Sequence, residues 1–257
     1  MTELARSFGR IAADYDAVRP DYATEALARA AEVLGLAPEA RVVDLAAGSG
    51  TLTRALAERF AEVVAVEPDD GMLAILAERS PQVEALPGTA EDIPLLAGSA
   101  DAVFVGDAFH WFDGPAAVAE LARVLRPLGG VAMLWNNWWS DGADGTTDSL
   151  DPPLPANARA LLDEVYVNSG RAAAASEKAD PLTAFADGPF DPLVEEAFVR
   201  SRQLTAAEVV GLYCTVSSVA SLPPDEREEL KRELLPLLAE SYRLEISTVL
   251  LWTRLTR

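Results

Sequence analysis

A chain of 257 residues, half of them hydrophobic and 24% charged, can bury one large core or a core with an added cap. Its formal net charge of −20, without any basic run, argues against a nucleic-acid backbone or an anionic membrane as partner. One cysteine, Cys214, and one histidine, His110, exclude a disulfide framework and leave no ligand set for a structural metal, so a reducing, cytoplasmic setting without metal is expected.

The first residues, Met1 to Arg6, open an amphipathic helix over about 3–14 and lack the apolar centre of a signal peptide. No apolar run approaches the roughly 20 residues that span a bilayer. A polar loop ending in Arg19-Pro20 follows, and then a helix from Thr24 with Leu27, Ala30, Ala31 and Leu34 on one face. Strands and helices then alternate. Strands are expected at 41–45, 62–67, 83–86, 101–105 and 131–135, with helices between them. That alternation implies βαβ units and a doubly wound parallel sheet. It breaks at about 136–190, where Trp138, Trp139 and a Pro-rich stretch introduce an irregular segment with one helix near Leu161, Leu162 and Val165. A strand at 195–204, a helix at 206–219, a helix from Pro224 to about Ser241 and a final strand at 243–255 complete the chain.

The chemistry is concentrated after the first strand, in Asp44-Leu45-Ala46-Ala47-Gly48-Ser49-Gly50-Thr51. Small residues there let a ligand approach the backbone, and the strand-end acid Asp44 faces the same crevice. The glycine count falls short of a dinucleotide fingerprint, and there is no Gly-Lys-Ser/Thr for a phosphate loop. Glu67, ending the second strand about twenty residues on, suits two unphosphorylated ribose hydroxyls. Pro68 and Met72 follow at the start of the next helix. After the fourth strand, Asp107-Ala108-Phe109-His110-Trp111-Phe112 brings the lone imidazole to the ligand edge of the sheet, as general base or pocket wall. Asn136, Trp138 and Trp139 end the fifth strand at the same edge and, with His110 and Trp111, are candidates for an acceptor pocket.

The turn resembles the Asp-x-Gly-x-Gly-x-Gly turn of class I S-adenosylmethionine-dependent methyltransferases, with Ala46 where the first glycine usually stands. The lead-in Phe8, Ala12, Tyr15, Arg19, Pro20 and the segment around His110 resemble the methyltransferase type 11 group, close to its trans-aconitate methyltransferase-like branch. The likeness covers about residues 5–135. It implies a seven-stranded, Rossmann-like α/β fold whose last strand is antiparallel, with a helical and irregular insertion after strand 5. It implies S-adenosylmethionine as cofactor, held by Phe8, Tyr15, Arg19, Asp44, Ala46, Gly48, Gly50, Glu67, Pro68, Met72, Ala90, Glu91, Asp107 and Phe109. In such enzymes the Gly88-to-Pro94 segment meets the adenine, an aromatic closes the pocket, and the arginine pairs with the methionine carboxylate.

One domain is therefore expected, with 1–38 as an N-terminal lid, 39–135 as cofactor-binding core, 136–190 as substrate-side insertion and 191–257 completing the sheet. The expected activity is O-, N- or C-methylation of a small-molecule acceptor by a monomer or homodimer. A nicotinamide-dependent oxidoreductase and a non-catalytic S-adenosylmethionine-binding protein are the alternatives.

Overall fold

The computed structural model describes residues 19–137, 154–168 and 179–256. Phe8, Tyr15, Trp138 and Trp139 lie outside the described residues. The elements in chain order are α1 (Thr24–Leu34), β1 (Arg41–Leu45), α2 (Thr51–Ala57), β2 (Glu62–Glu67), α3 (Asp70–Arg79), β3 (Glu84–Pro87), β4 (Ala100–Gly106), α4 (Gly114–Val124) and β5 (Leu125–Asn137). They continue with α5 (Ala156–Asn168), α6 (Pro181–Phe185), β6 (Val194–Thr205), α7 (Ala206–Cys214), α8 (Ser217–Ala220), α9 (Pro224–Leu234) and β7 (Ser241–Arg254).

The strands form a seven-stranded sheet in the order β3-β2-β1-β4-β5-β7-β6. The first five are mutually parallel, and β7 runs antiparallel to both of its neighbours. The central strands are apolar on both faces, as a sheet covered on both sides requires. Val43, Val103 and Val131 face one core with α4 and α6, while Val42, Ala102 and Ala132 face another with α1, α2 and α3. Chain order reverses between β1 and β4, and the carboxyl ends of those two strands diverge into the crevice where α/β sheets bind ligands.

The far edge is built differently. β7 pairs with β5 only over 247–254, whereas β6 and β7 pair from Thr205↔Ser241 to Val194↔Trp252. Residues 200–205 and 241–246 thus run past the end of β5 and carry a third core. Leu204, Tyr242, Leu244 and Ile246 pack there with Leu162 of α5, Leu212 of α7 and Leu230 and Leu234 of α9. The stretch expected to be one insertion after strand 5 contributes to two cores: α5 joins this third cluster, whereas Phe185 and Phe190 return to the core beneath α4.

Two expected helices are shorter than their apolar pattern suggests. The helix at 206–219 breaks at Thr215, whose hydroxyl donates to the Leu212 carbonyl at 2.6 Å and so takes a backbone acceptor the helix would use. The helix from Pro224 ends at Leu234, just before a single tight turn over Leu235–Leu237. Pro236 lies in that turn and has no N–H to continue an α-helical ladder. The fifth strand begins at Leu125 rather than 131, because Leu125 bridges Ala100 ahead of the regular register.

Candidate active site

The β1–α2 turn holds three left-handed residues, Ala46 (φ 57°), Gly48 (φ 58°) and Gly50 (φ 90°). Alternate left-handed residues fold the backbone tightly over the strand end. Glycine accepts that conformation freely, whereas Ala46 adopts it at a cost of about 1–2 kcal/mol. Gly50 shapes the turn without lining the cavity: a Cβ there would meet Leu76 Cγ at 3.1 Å. Asp44 is fully buried at the strand end and accepts a 2.6 Å hydrogen bond from the Thr53 hydroxyl on its Oδ2. Its Oδ1 is buried and has no partner. Burial pushes the Asp44 carboxyl up to about 7; the Thr53 bond pulls it back, and the nearby Glu67 charge adds to the rise.

Glu67 ends β2 beside this turn. Its Oε2 accepts from the Gly48 N–H at 2.8 Å and its Oε1 from the Asp69 N–H at 2.9 Å. These bonds fix the carboxylate and leave lone pairs on both oxygens for a vicinal diol. Burial raises its pKa, and the two backbone donors work against that rise. Asp69 caps α3 by accepting from the Met72 N–H at 2.9 Å, which brings Pro68 and Met72 to the cavity wall.

Across the switch point, Asp107 follows β4 with φ 50°, a second strained non-glycine residue facing Ala46 across the crevice. Burial raises its carboxyl, while the Arg19 charge and the Tyr22 hydroxyl counter that rise. Tyr22 donates to Asp107 Oδ2 at 2.9 Å. The turn Phe109–Trp111 is a 3₁₀-helix, so successive side chains point about 120° apart. It sends His110 and Trp111 to the cavity, their rings 4.7 Å apart at 44°.

Phe109, expected at the cofactor, lies in the core instead. It is fully buried, with ring centroids 5.4 Å from Phe112 and 5.6 Å from Phe185. The turn's rotation accounts for the difference. Ala90 also packs in that core, and Glu91 accepts from the Asp113 N–H at 2.9 Å; neither lines the cavity. Asn136, expected in the acceptor pocket, is likewise off the wall. It is buried, with its amide nitrogen bonded to the carbonyls of Pro20 and Asp21. Arg19 does line the cavity, and it also reaches the end of α7, with Nε donating to Thr215 Oγ1 at 2.9 Å and Nη2 to the Thr215 carbonyl at 3.1 Å.

One cavity therefore joins Arg19, Asp44, Ala46, Gly48, Glu67, Pro68, Met72, Asp107, His110 and Trp111 among the expected residues. It also includes Tyr22 and Leu52, which the sequence does not single out. A tyrosine two residues after Arg19-Pro20, before a helix, carried no local pattern beyond its aromatic character. The cleft fits the expected cofactor. An orphaned carboxylate oxygen suits an ammonium, a backbone-held carboxylate suits ribose hydroxyls, and the apolar Met72 on the helix that follows Glu67 suits a flat base. Among the described residues no cluster of potential metal ligands occurs, and no helix is long and apolar enough to cross a membrane.

The methyltransferase domain family matches residues 43–133 of the chain. An uncharacterized methyltransferase of Mycobacterium tuberculosis is 46% identical over 134 residues, which are 52% of this chain and 54% of that protein, so the chain spans about half the length of that relative. An uncharacterized methyltransferase of Schizosaccharomyces pombe is 31% identical over 232 residues, covering 90% of this chain and 86% of its own. Among solved structures, a protein of Anaeromyxobacter dehalogenans assigned as a type II methyltransferase superposes with a TM-score of 0.62 at 22% identity, over 93% of this chain and 98% of its own. That likeness is one of fold.

Proposed function

The chain belongs to the class I S-adenosylmethionine-dependent methyltransferases, and on that footing we propose that it methylates a small-molecule acceptor in the cleft at the β1–β4 switch point. The observation that carries this reading is the convergence of Asp44, with its unpartnered buried oxygen, and the backbone-held Glu67 on one cavity that also holds His110 and Trp111. S-adenosylmethionine, when bound, supplies an activated methyl group on a good leaving group. The protein's task is then alignment and exclusion of water. Glu67 binds the ribose, Asp44 the ammonium side of the amino acid, and Met72 flanks the base. Trp111 and Phe112 keep water from the acceptor side, where His110 takes the acceptor's proton or forms the wall. The branch near trans-aconitate methyltransferases rests on the lead-in residues and the segment around His110.

Calorimetric titration with S-adenosylmethionine, S-adenosylhomocysteine and NAD tests the ligand class. S-adenosylhomocysteine is expected to bind well, and Glu67→Ala to weaken it about a hundredfold, since the loss removes ribose acceptors and strands two backbone donors. Tighter binding of NAD would move the chain to the oxidoreductase reading. A screen of metabolite extracts with a labelled methyl donor identifies the acceptor, and absence of label transfer despite tight cofactor binding would favour a non-catalytic binder.

A further inference from the structure

We infer that Asn136 is a positioning residue whose buried carboxamide holds segment 19–23 as a strap across the cofactor cleft. The inference rests on the reading of that cleft as the S-adenosylmethionine site. Asn136 sits near the end of β5 and is 8% exposed. Its Nδ2 donates to the Pro20 carbonyl at 2.8 Å and to the Asp21 carbonyl at 3.1 Å. Its Oδ1 accepts from the Thr248 hydroxyl at 2.6 Å, and that same hydroxyl oxygen accepts from the Ala23 N–H at 3.1 Å. Both amide hydrogens and the amide oxygen are engaged, and three backbone groups of the strap, the Pro20 and Asp21 carbonyls and the Ala23 N–H, are satisfied by one side chain and its hydroxyl partner.

What the strap delivers lies on the cavity wall. Tyr22 reaches Asp107 Oδ2, and the Asn136 backbone N–H approaches Asp107 Oδ1 at 3.4 Å, so the carboxylate is held from the strap and from β5. Arg19, at the strap's start, acts electrostatically on the same carboxylate and bonds to Thr215 at the end of α7. The backbone is bare where the tyrosine crosses it: a Cβ on Gly106 would come within 2.5 Å of the Tyr22 hydroxyl. Asn136 itself does not line the cavity. Its influence on a ligand therefore passes through Tyr22, Arg19 and Asp107.

The test uses the full chain and S-adenosylhomocysteine binding by calorimetry, with thermal melting recorded alongside. Asn136→Asp preserves size and turns two donors toward carbonyls into acceptors. Affinity at pH 8 is expected to fall about tenfold or more, with the ratio to wild type narrowing at lower pH as the introduced carboxyl regains a donor hydrogen. Tyr22→Phe alone should weaken binding severalfold, yet add less than twofold to Asn136→Asp, because the strap is already released. Reduced melting temperature with unchanged affinity overturns the inference, and so do fully additive effects of the two substitutions. Should Asn136→Asp fail to fold, Thr248→Val removes only the hydroxyl between the amide and Ala23; weaker binding supports the strap and unchanged binding overturns it. Glu67→Ala separates the two levels. If it leaves affinity intact, the cleft is misassigned; if it alone weakens binding, only the role of Asn136 falls.

Discussion

Two regions of the sheet, its central switch point and its β6–β7 edge, make their surfaces by different means. At the β1–β4 switch point the cleft is built from backbone and acids: left-handed Ala46, Gly48 and Gly50, and the carboxylates of Asp44, Glu67 and Asp107. At the β6–β7 edge, strands extend beyond their neighbour and carry a separate apolar core filled by α5, α7 and α9. The first region is preorganised by strain and buried charge, and so is costly in stability. The second is ordinary apolar packing, and it stabilises. Arg19, bonded to Thr215 and acting on Asp107, links the two. The difference suggests that ligand affinity and stability can be altered separately, one in each region.

The largest expected effect tests the stabilising region. Leu212 is 1% exposed in the third core, and Leu212→Ala should lower stability by roughly 3 kcal/mol, as large-to-small changes in cores do. Denaturant unfolding measures that loss, and calorimetry on the folded variant should find S-adenosylhomocysteine affinity within about twofold of wild type. A parallel loss of affinity would show that the two regions are one cooperative unit.

The next effect has the opposite sign and tests the costly region. In the folded protein the Asp44 carboxyl titrates near 7, well above its ordinary 3.8, chiefly through burial. Between those values the folded chain keeps a proton that the unfolded chain has lost. This group's contribution to stability therefore falls as pH rises from about 4 to 7 and stays low above that. Asp44→Asn removes that slope. Without ligand, the variant should melt higher than wild type at pH 8, by roughly 2–4 °C per kcal/mol recovered, with little difference near pH 4. S-adenosylhomocysteine should bind it more weakly. A variant less stable at pH 8 would mean that the Thr53 hydroxyl outweighs burial in holding the charged Asp44. Stability gained as function is lost is the usual mark of a strained binding group.

How much of this was legible in the sequence follows the same division. The β1 turn could be read because strand, small residues and helix lie within one continuous stretch, and Glu67 because its distance from that turn is a fixed consequence of one βαβ unit. The parallel pairing of the first five strands followed from the alternation of elements, whereas their order did not, since more than one doubly wound order fits the same alternation. The contacts that complete the cleft join distant residues: Tyr22 and Asp107 are 85 apart, Asn136 and Pro20 are 116 apart, and Arg19 and Thr215 are 196 apart. No local period marks such pairs. Asn136 was placed at the correct edge of the sheet, but the direction of its amide depends on carbonyls in a segment with no regular structure. Phe109 and His110 are adjacent, and only the tight turn decides which of them faces the ligand. The third core carries no local signal because its apolar residues are spread over six elements, from α5 to β7.

The smallest expected effect asks whether charge on the outer helix matters to either region. On α9, Lys231 donates to Glu228 at 2.7 Å, with the Glu228 side chain 62% exposed. The carboxyl is held low by that lysine, but a pair so open to water is screened and costs side-chain freedom to maintain. What anchors α9 is apolar: Leu230 and Leu234 are buried in the third core. Lys231→Ala should thus shift unfolding by less than about 0.5 kcal/mol, with alanine's helix propensity offsetting part of the lost pair. Cofactor affinity should not move. Raising salt should shrink the difference further, because the contribution at stake is screened. A loss of more than about 1 kcal/mol that persists at high salt would instead place the lysine stem in the packing of this region, making the boundary between its charged surface and its apolar core less sharp than the burial of Leu230 and Leu234 implies.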